Sequence, residues 1–305
     1  MKIAVFGTGG IGGYFGGRLA AAGHDVGFVA RGAHLAALRR DGLAVRSVAG
    51  DFTVAPVKAS DDPGELGPAE AVLLCVKTWQ LPDAMAALPP LLDADTAVVT
   101  LQNGVEAPEQ VAAAIGRAAV LPGNAKIFAN IAGPGQVEHV GGPALLGFAE
   151  WDSAPSDRVT RLREALAGAS VAVAEPADIW AELWVKFLFV VPLGGLGAVT
   201  GAPTGVLRSR PGTRRLLADA MTEIAEIAAA SGIKLPGDIV TTTMGFIDAS
   251  PAAGQTSLQR DIWAGRPSEL EAWTGAVVRL GAKVGTPTPV AGFLYEMLTA
   301  REASR

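Results

Sequence analysis

The sequence contains few of the residues that carry covalent or metal-based chemistry. Its 305 residues include one cysteine and three histidines. A lone cysteine cannot form an intrachain disulfide, which fits a reducing compartment, and we expect a cytoplasmic protein. His24, His34 and His139 lack metal-ligand spacing, so no metal site is predicted. Cys75 lies inside an apolar run and no G-x-S-x-G motif occurs, so a covalent nucleophile has no good candidate.

The chain also has no surplus of positive charge and no uninterrupted apolar run of membrane-spanning length. Its net charge is −5, and without a dense basic patch nucleic acid is not expected as a partner. Residues 181–199 are almost wholly apolar, but Lys186, Pro192 and several glycines interrupt them. Because a spanning helix needs about 20 apolar residues, we expect no membrane segment. Glycines likewise interrupt the apolar start of the chain, so no targeting signal is predicted.

The pattern of apolar residues changes near Pro176. Before it, short apolar runs alternate with helical stretches, as in a parallel sheet covered by helices on both faces. The runs lie at 2–7, 25–30, 71–76, 97–102 and 118–123, with later, partly antiparallel strands predicted at 136–140, 144–150 and 170–175. After Pro176 only helical patterning remains. We therefore predict an α/β protein with a doubly wound sheet in residues 1–176 and an all-helical domain in residues 177–305.

A glycine-rich stretch, GTGGIG, follows the first apolar run and opens a helix. Gly7, Gly9 and Gly12 have the G-x-G-x-x-G spacing of a dinucleotide-binding turn, in the strand-then-helix context that the motif requires. The first glycine would permit the tight turn, the second the approach of a pyrophosphate, and the third close helix packing. The other turn residues are Thr8, Gly10 and Ile11. The motif predicts a Rossmann-type domain, the alternative being a glycine-rich turn without a ligand.

Polar residues follow three of the predicted strands. In NAD-binding folds an acidic residue near the end of the second strand binds the ribose 2′-hydroxyl. Here Ala30 stands at that position and Arg31 follows, and a guanidinium can bind a 2′-phosphate with two parallel hydrogen bonds. This favours NADP(H), unless Arg31 only caps a surface loop. Lys77 and Asn103 follow two further strands, at the sheet edge where ligands bind, although either could be an ordinary strand-exit residue.

Lys186 is the main acid–base candidate of the second half, which contains no histidine. Lys234 and Lys283, the other lysines there, lie in polar or turn-rich surroundings. An apolar setting would shift the pKa of Lys186 toward use at neutral pH, whereas a snorkelling lysine would merely reach water. The polar segment 256–271 could supply a carboxylate partner, or it could be a solvated helix face and loop.

Five ordered motifs give the chain a resemblance to the ketopantoate reductases (2-dehydropantoate 2-reductases) over essentially its whole length. They are GTGGIG, CVKTWQ, LQNGVE, AELWVK and QRDIWAGRPSELE. The resemblance implies an N-terminal domain that binds NADPH and a helical domain that closes a cleft over it. It also implies reduction of a small 2-oxo acid to a 2-hydroxy acid, on the route to pantothenate.

The resemblance further implies roles for individual residues. The family's cofactor-contacting positions match the glycine turn together with Arg31, Lys77, Asn103 and, less closely, Ala129. Lys186 matches the proton donor, Ser257 a substrate contact, and Glu269 a residue that bridges cofactor and active site. Asn103 and Ser257 would hold the substrate in line for the reaction.

The sequence departs from the family pattern beside the proton donor. The family has asparagines four and eight residues after this lysine and another ten further on, where this chain has Val190, Gly194 and, on an ungapped count, Thr204. Residues 186, 190 and 194 share a helix face, so the lysine is kept while its polar neighbours are lost. Such a change alters specificity more than chemistry. Thr204 stays a candidate substrate contact.

Three interpretations stay open on this sequence. The first is a ketopantoate reductase with substitute substrate contacts. The second is a family paralogue, or a β-hydroxyacid-type dehydrogenase, that acts on a different and less polar carbonyl acid. The third is an NADP(H)-binding protein without turnover. For the assembly, the base-rate expectation is a homodimer.

Overall fold

The computed structural model describes residues 1–304, which fold as two compact units. The first unit comprises Met1–Gln102 and Ala107–Ile179. The second comprises the short segment Asn103–Glu106 and the chain from Trp180 onward. The main division therefore lies three residues beyond the boundary predicted at 176, and the segment Asn103–Glu106 is a second crossing that no sequence signal indicated.

The first unit is built on one sheet of ten strands. These are β1 (Lys2–Phe6), β2 (Asp25–Val29), β3 (Leu43–Ser47), β4 (Phe52–Val54), β5 (Lys58–Ser60), β6 (Ala71–Leu74), β7 (Ala97–Thr100), β8 (Val120–Gly133), β9 (Gln136–Phe148) and β10 (Ala172–Ala174). Their order is β4-β3-β9-β8-β7-β6-β1-β2-β5, with β10 beside β9. From β5 to β8 all neighbours are parallel, whereas β8 and β9 are antiparallel.

Helices cover both faces of this sheet. They are α1 (Gly10–Ala21), α2 (Gly32–Asp41), α3 (Leu81–Ala87), α4 (Ala107–Ile115) and α5 (Asp157–Gly168). In β1 the side chains of Ile3 and Val5 pack in a core with α1, α2 and α5, while those of Ala4 and Phe6 pack with α3 and α4. This alternation follows from the two-residue period of a strand. It explains why the buried strands are apolar at every position.

The remainder of the chain forms the helical unit. Its helices are α6 (Ile179–Thr200), α7 (Thr204–Ser209), α8 (Pro211–Ala230), α9 (Ile239–Ala249), α10 (Ser257–Trp263), α11 (Ala276–Val284) and α12 (Pro289–Ala303), with a π-helical turn at Glu271–Gly275. In residues 1–304, α6 alone is long and apolar enough to cross a membrane, yet 67% of its apolar window is buried. Core helices of soluble proteins meet the same criteria. The predicted fold class, a doubly wound sheet followed by a helical domain, is confirmed.

The sequence analysis missed the strands β3, β4 and β5 and the full length of β8 and β9. The first three are only three to five residues long and are partly exposed, so their apolar pattern is weak. The runs predicted at 136–140 and 144–150 belong to the single strand β9. Gly141 and Gly142, with φ of +154° and +82°, let the strand continue through a register irregularity opposite Phe128.

A buried carboxyl group joins two helices of the second unit. Glu223 on α8 is 6% exposed and accepts hydrogen bonds from the amides of Val290 (2.7 Å) and Ala291 (3.0 Å), in the first turn of α12. Burial raises the pKa of Glu223, and these two hydrogen bonds partly offset the rise. The side chain therefore caps α12 from a neighbouring helix.

We predict that Glu223→Ala lowers the free energy of unfolding by about 1–3 kcal/mol, because it leaves two amides without their partner. Urea unfolding followed by tryptophan fluorescence measures the change. Glu226→Ala is the matched control, since Glu226 is exposed on the same helix and its loss should cost less than about 0.5 kcal/mol. Equal effects of the two substitutions would contradict the capping role.

Candidate functional site

The sheet reverses its strand order at β1, which lies between β2 and β6. Open α/β sheets bind ligands at such a switch point, beyond the carboxyl ends of the strands. The glycine turn leaves β1 there, and Lys77 lies three residues after the end of β6. Two of the predicted site elements thus leave adjacent strands at the same edge of the sheet.

The glycines of the turn have distinct steric roles. Gly7 has φ +99°, and a Cβ atom there would lie 2.8 Å from the amide nitrogen of Val76. A Cβ on Gly12 would collide with the carbonyl oxygen of Gly7, which is why α1 can begin so close to β1. A Cβ on Gly9 would have no heavy atom of the described chain within 4 Å. Gly9 therefore faces open space, as expected where a ligand approaches the backbone.

Gly10 brings a predicted cofactor residue, Ala129, to the turn. A Cβ on Gly10 would lie 2.5 Å from the carbonyl oxygen of Ala129 on β8. The antiparallel half of the sheet therefore runs directly over the start of α1. Ile11, the next residue of the turn, is half-buried and packs against the core of the first unit. The structure thus places Ala129 beside the glycine turn, although they are more than a hundred residues apart in sequence.

The N-terminus of α1 is free to bind an anion. Its N-cap residue is Gly9, no side chain caps it within the described chain, and its first turn contains no acidic residue. The Thr8 hydroxyl could have served as a cap, but it is buried and donates to the carbonyl oxygen of Val29 at 3.1 Å. The first-turn amides and the positive end of the helix dipole therefore remain available to a phosphate.

Arg31 lies close to the glycine turn because the turn is hydrogen-bonded to the last residue of β2, two residues before Arg31. The amides of Gly7 and Thr8 both donate to the carbonyl oxygen of Val29, the last residue of β2. Arg31 follows two residues later as the N-cap of α2, is exposed, and forms no ion pair with any residue from 1 to 304. A guanidinium without a carboxylate partner beside a candidate phosphate site fits an anionic ligand.

His34, one turn into α2, is a residue that the sequence analysis did not assign to the site. Its Nδ1 accepts a hydrogen bond from the amide of Gly135 at 3.1 Å, in the turn between β8 and β9. Burial lowers the pKa of His34, with backbone contacts to Thr8 and Gly133 partly opposing this. The imidazole therefore joins the hairpin to the start of α2. In the sequence, the only indication of this role is that a histidine stands three residues after Arg31.

Gln102 is a second residue that the sequence analysis missed. It follows β7, is 6% exposed, and its amide nitrogen donates to the carbonyl oxygens of Leu74 (2.9 Å) and Val76 (3.0 Å). These contacts hold the chain just before Lys77, a half-buried residue whose own amide donates to the side chain of Gln80 at 3.2 Å. The exit of β7 is thus fixed to the exit of β6.

In the helical unit, Lys186 lies half-buried on α6. Eight residues further along the helix, or about 12 Å, is Gly194. A Cβ there would lie 2.7 Å from the indole ring of Trp273 and 3.3 Å from Leu258. α6 therefore packs against α10, which begins with the candidate Ser257, and against the π-helical turn that begins two residues after the candidate Glu269.

These two candidates differ in their surroundings. Glu269 is 4% exposed, and its carbonyl oxygen accepts from the Trp273 amide as the chain enters the π-helical turn. Short π-helical segments are frequent at functional sites. Ser257 is a half-buried residue at the start of α10. Thr204, the third candidate substrate contact, is 4% exposed, and its hydroxyl donates to the Gly254 carbonyl at 3.0 Å, so it holds the loop before α10.

Asn103 belongs to the helical unit although it lies only three residues after the end of β7, a strand of the first unit. It is half-buried, and two residues later Val105 is 5% exposed in the core formed by the helices. Asn103 therefore belongs to the same unit as Lys186 and Glu269. Its predicted role at the exit of β7 stays a prediction.

Two other predictions concern residues outside these sites. Among residues 1–304, no three His, Cys, Asp or Glu side chains are grouped so that they could hold a metal ion. Cys75 follows β6, and burial raises the pKa of its thiol, so it is a poor nucleophile. The candidate chemistry thus rests on lysine, amide and carboxyl groups.

The chain is similar to known proteins over nearly its whole length. The N-terminal family model described as "Ketopantoate reductase PanE/ApbA" matches residues 3–153, and its C-terminal counterpart matches residues 178–302. The 2-dehydropantoate 2-reductase of Mesorhizobium japonicum is 34% identical, covering 95% of this chain and 94% of the relative. A PanE/ApbA family ketopantoate reductase from Ralstonia eutropha superimposes with a TM-score of 0.92 at 31% identity, covering 100% of this chain and 99% of that one.

The same fold also occurs in a structure of D-mandelate dehydrogenase with NADH and anilino(oxo)acetate. That structure has a TM-score of 0.91 at 23% identity, and covers 100% of this chain and 99% of that one. At this identity the likeness concerns the fold alone.

A Rossmann-type sheet with an open glycine turn, followed by a helical unit, is the architecture of a class of nicotinamide-dependent oxidoreductases. The chain belongs to the ketopantoate reductase family and is an oxidoreductase of that family. The resemblance stated from the five sequence motifs is thereby confirmed.

We predict that Gly9→Ala weakens binding of the nicotinamide cofactor by about 10-fold or more, because a methyl group would occupy the open space where we expect the pyrophosphate, at a cost above about 1.4 kcal/mol. Its thermal stability should stay close to that of the wild type, since the methyl meets no protein atom. Fluorescence titration and thermal melting measure the two effects.

Gly10→Ala is the matched contrast. Its methyl group would press on the Ala129 carbonyl, so it should lower the melting temperature by several degrees. Unchanged binding of the nicotinamide cofactor by Gly9→Ala would show that Gly9 does not face the ligand.

Proposed function

We propose that this protein catalyses the NADPH-dependent reduction of a 2-oxo acid to a 2-hydroxy acid. The favoured substrate is ketopantoate, whose product, pantoate, would enter pantothenate biosynthesis. The observation that carries the proposal is Lys186, a half-buried lysine on a largely apolar core helix, whose only other charged residue is Glu182, in a ketopantoate reductase family member. We expect the protein to work in the cytoplasm on a small molecule, without nucleic acid or membrane partners, and as a homodimer.

The first unit fits a dinucleotide. The uncapped start of α1 and the open space at Gly9 would hold the pyrophosphate, with Thr8, Gly10 and Ile11 completing the turn. Lys77 and Ala129, on either side of this turn, are the further candidate contacts. When bound, the nicotinamide supplies the hydride that reduces the carbonyl carbon.

Arg31 supports the choice of NADP(H) over NAD(H). It is exposed, follows the second strand where an acidic residue would select NAD, and no carboxylate among residues 1–304 neutralises it in an ion pair. A guanidinium binds a phosphate with two charge-assisted hydrogen bonds, so Arg31 would hold the 2′-phosphate.

Lys186 would act on the carbonyl oxygen of the substrate. Negative charge grows on this oxygen as the carbon is reduced, and an ammonium group beside it stabilises that charge and then donates a proton. The apolar surroundings of α6 would strengthen this interaction by excluding water. Asn103 and Ser257 would hold the substrate in line, and Glu269 would link the cofactor to the active site.

A second candidate function is reduction of a less polar 2-oxo acid by the same chemistry. The observation that favours it lies on the helix face of Lys186. Val190 is half-buried, and Gly194 is covered by the indole of Trp273, which is 1% exposed. An asparagine at 194 has no room beside this ring, so an amide cannot reach a substrate hydroxyl from that position. The ratio of kcat/KM for ketopantoate to that for a 2-oxo acid without a hydroxyl decides between the two substrates.

A third possibility, an NADP(H)-binding protein without turnover, has less support. It would explain the missing asparagines, but it leaves Lys186 in the core helix and Glu269 at 4% exposure without a function. Cofactor binding together with no turnover of any 2-oxo acid would select it.

We predict that Arg31→Ala weakens NADPH binding by roughly 10- to 150-fold, since a hydrogen bond to a charged group contributes about 1.5–3 kcal/mol. NADH binding should hardly change, because NADH lacks the 2′-phosphate. Titration of both cofactors measures the effect. Equal weakening of both would mean that Arg31 maintains structure and does not bind the phosphate.

We predict that Lys186→Ala lowers kcat by roughly 10²–10⁴-fold, the usual contribution of a general acid. NADPH should still bind, because the glycine turn and Arg31 belong to the other unit. Lys186→Arg should also be nearly inactive, since a guanidinium keeps its proton near neutral pH. Steady-state kinetics with cofactor titration measure both variants.

The Lys186→Arg variant separates the two roles of the lysine. Near-normal turnover by that variant would mean that positive charge alone suffices and that water donates the proton. Normal turnover by Lys186→Ala would refute the catalytic role.

A further inference from the structure

The position of Asn103 depends on two attachments on either side of it. On one side, Gln102 is held in the first unit by its hydrogen bonds to the carbonyl oxygens of Leu74 and Val76. On the other, Glu106 belongs to the helical unit. Asn103 is therefore the first residue after the chain leaves the first unit. Whatever holds the segment Asn103–Glu106 decides where the Asn103 amide lies relative to Lys186.

One arginine holds the far end of this segment. Arg279 on α11 donates from Nη2 to the Glu106 carboxylate at 2.9 Å. The same guanidinium donates from Nη1 to the Glu271 carboxylate at 3.0 Å and from Nη2 to the Glu271 carbonyl oxygen at 2.8 Å. Arg279 thus joins the segment to the π-helical turn, which begins two residues after Glu269.

The partner carboxylate is itself fixed. Glu271 accepts a hydrogen bond from the Tyr295 hydroxyl at 2.6 Å, and this bond raises the pKa of Tyr295. Gly275 allows the groups to pack this closely, since a Cβ there would lie 3.0 Å from the Tyr295 ring and 3.1 Å from Arg279. The guanidinium therefore has a defined place from which to hold Glu106.

The segment makes two further close contacts with the helical unit. Gly104 has φ +103°, and a Cβ there would lie 2.9 Å from the carbonyl oxygen of Ala272 in the π-helical turn. Val105 is 5% exposed in the helical core. With the Glu106–Arg279 pair, three consecutive residues dock on the same unit. The residue immediately before them is Asn103.

We propose that Arg279 is a positioning residue for Asn103, a role that rests on the proposed function. It acts through Glu106 and Glu271 to hold the segment Asn103–Glu106 against the π-helical turn. Asn103 is thereby kept in one place relative to Lys186 and Glu269 on the same unit. Arg279 touches neither substrate nor cofactor in this account.

The ion pair between Arg279 and Glu106 is partly exposed, so its loss should change stability little. We expect the main effect of its loss on turnover. The Arg279 side chain is 48% exposed and that of Glu106 is 26% exposed, and exposed ion pairs typically contribute only about 0–1 kcal/mol to stability. A displacement of about 1 Å in an active site, by contrast, can lower the rate about 10²-fold. Loss of Arg279 should therefore lower activity far more than it lowers the melting temperature.

The test compares Arg279→Ala with Arg214→Ala. Arg214 also lies in the helical unit and forms an exposed two-bond ion pair, with Asp248 at 2.6 and 2.8 Å. We expect Arg279→Ala to lower kcat by about 10- to 100-fold, with less than about a threefold change in the KM for NADPH, whereas Arg214→Ala should keep kcat within about twofold. Glu106→Gln should reproduce the kcat loss, and the double variant should lose no more than either single variant.

Hydrogen exchange provides a readout that does not depend on turnover. The amides of residues 103–106 should exchange faster in Arg279→Ala than in wild type, and should not change in Arg214→Ala. If the wild type turns over no 2-oxo acid, the proposed function fails, and the exchange data alone decide whether Arg279 holds the segment. Wild-type kcat in Arg279→Ala, equal losses in both arginine variants, additive effects in the double variant, or unchanged exchange at 103–106 would overturn the proposal.

Discussion

The architecture of the first unit depends on the close approach of backbone to backbone around one glycine turn. Cβ atoms on Gly7, Gly10 and Gly12 would meet the chain at Val76, Ala129 and Gly7 respectively. Because glycine has no Cβ atom, the ends of β1 and β6, a part of β8 and the start of α1 can lie close together at this turn. Gly9 faces open space instead. The same lack of side chains that allows the packing therefore leaves the helix N-terminus accessible to a phosphate.

In the helical unit the corresponding constraint is the packing around α6. This helix carries Lys186, and its Gly194 lies under the Trp273 ring, so the helix that carries the lysine packs against the π-helical turn at Glu271–Gly275. The segment Asn103–Glu106 docks on that same turn. Sequence-distant groups proposed for the reaction are thus carried by one unit. The glycine turn, Arg31, Lys77 and Ala129, which are candidate cofactor contacts, belong to the other unit. Substitutions there should therefore change cofactor affinity more than turnover.

Features that depend on the local pattern of apolar residues and glycines were predicted correctly from the sequence. Buried parallel strands are apolar at every position, and the glycine spacing is read directly, so the fold class and the turn at Gly7 were predictable. Short, half-exposed strands such as β4 lack such a pattern. The roles of Gln102 and His34, and the attachment of Asn103 to the helical unit, depend on contacts between distant residues. Nothing in the neighbouring sequence reports such contacts. The positions matched to substrate contacts, such as Ser257, remain predictions.

The central claim is that this chain reduces a 2-oxo acid with NADPH. The most direct measurement is the initial rate of NADPH oxidation by the wild-type protein, followed by the absorbance of the reduced nicotinamide, with ketopantoate as substrate and NADH in a parallel reaction. We expect saturable oxidation of NADPH that requires the oxo acid, with a kcat/KM for NADPH at least about 10-fold above that for NADH, the ratio that a 2′-phosphate contact of about 1.4 kcal/mol provides. No oxidation above the rate without substrate, with ketopantoate and with less polar 2-oxo acids alike, would contradict the account.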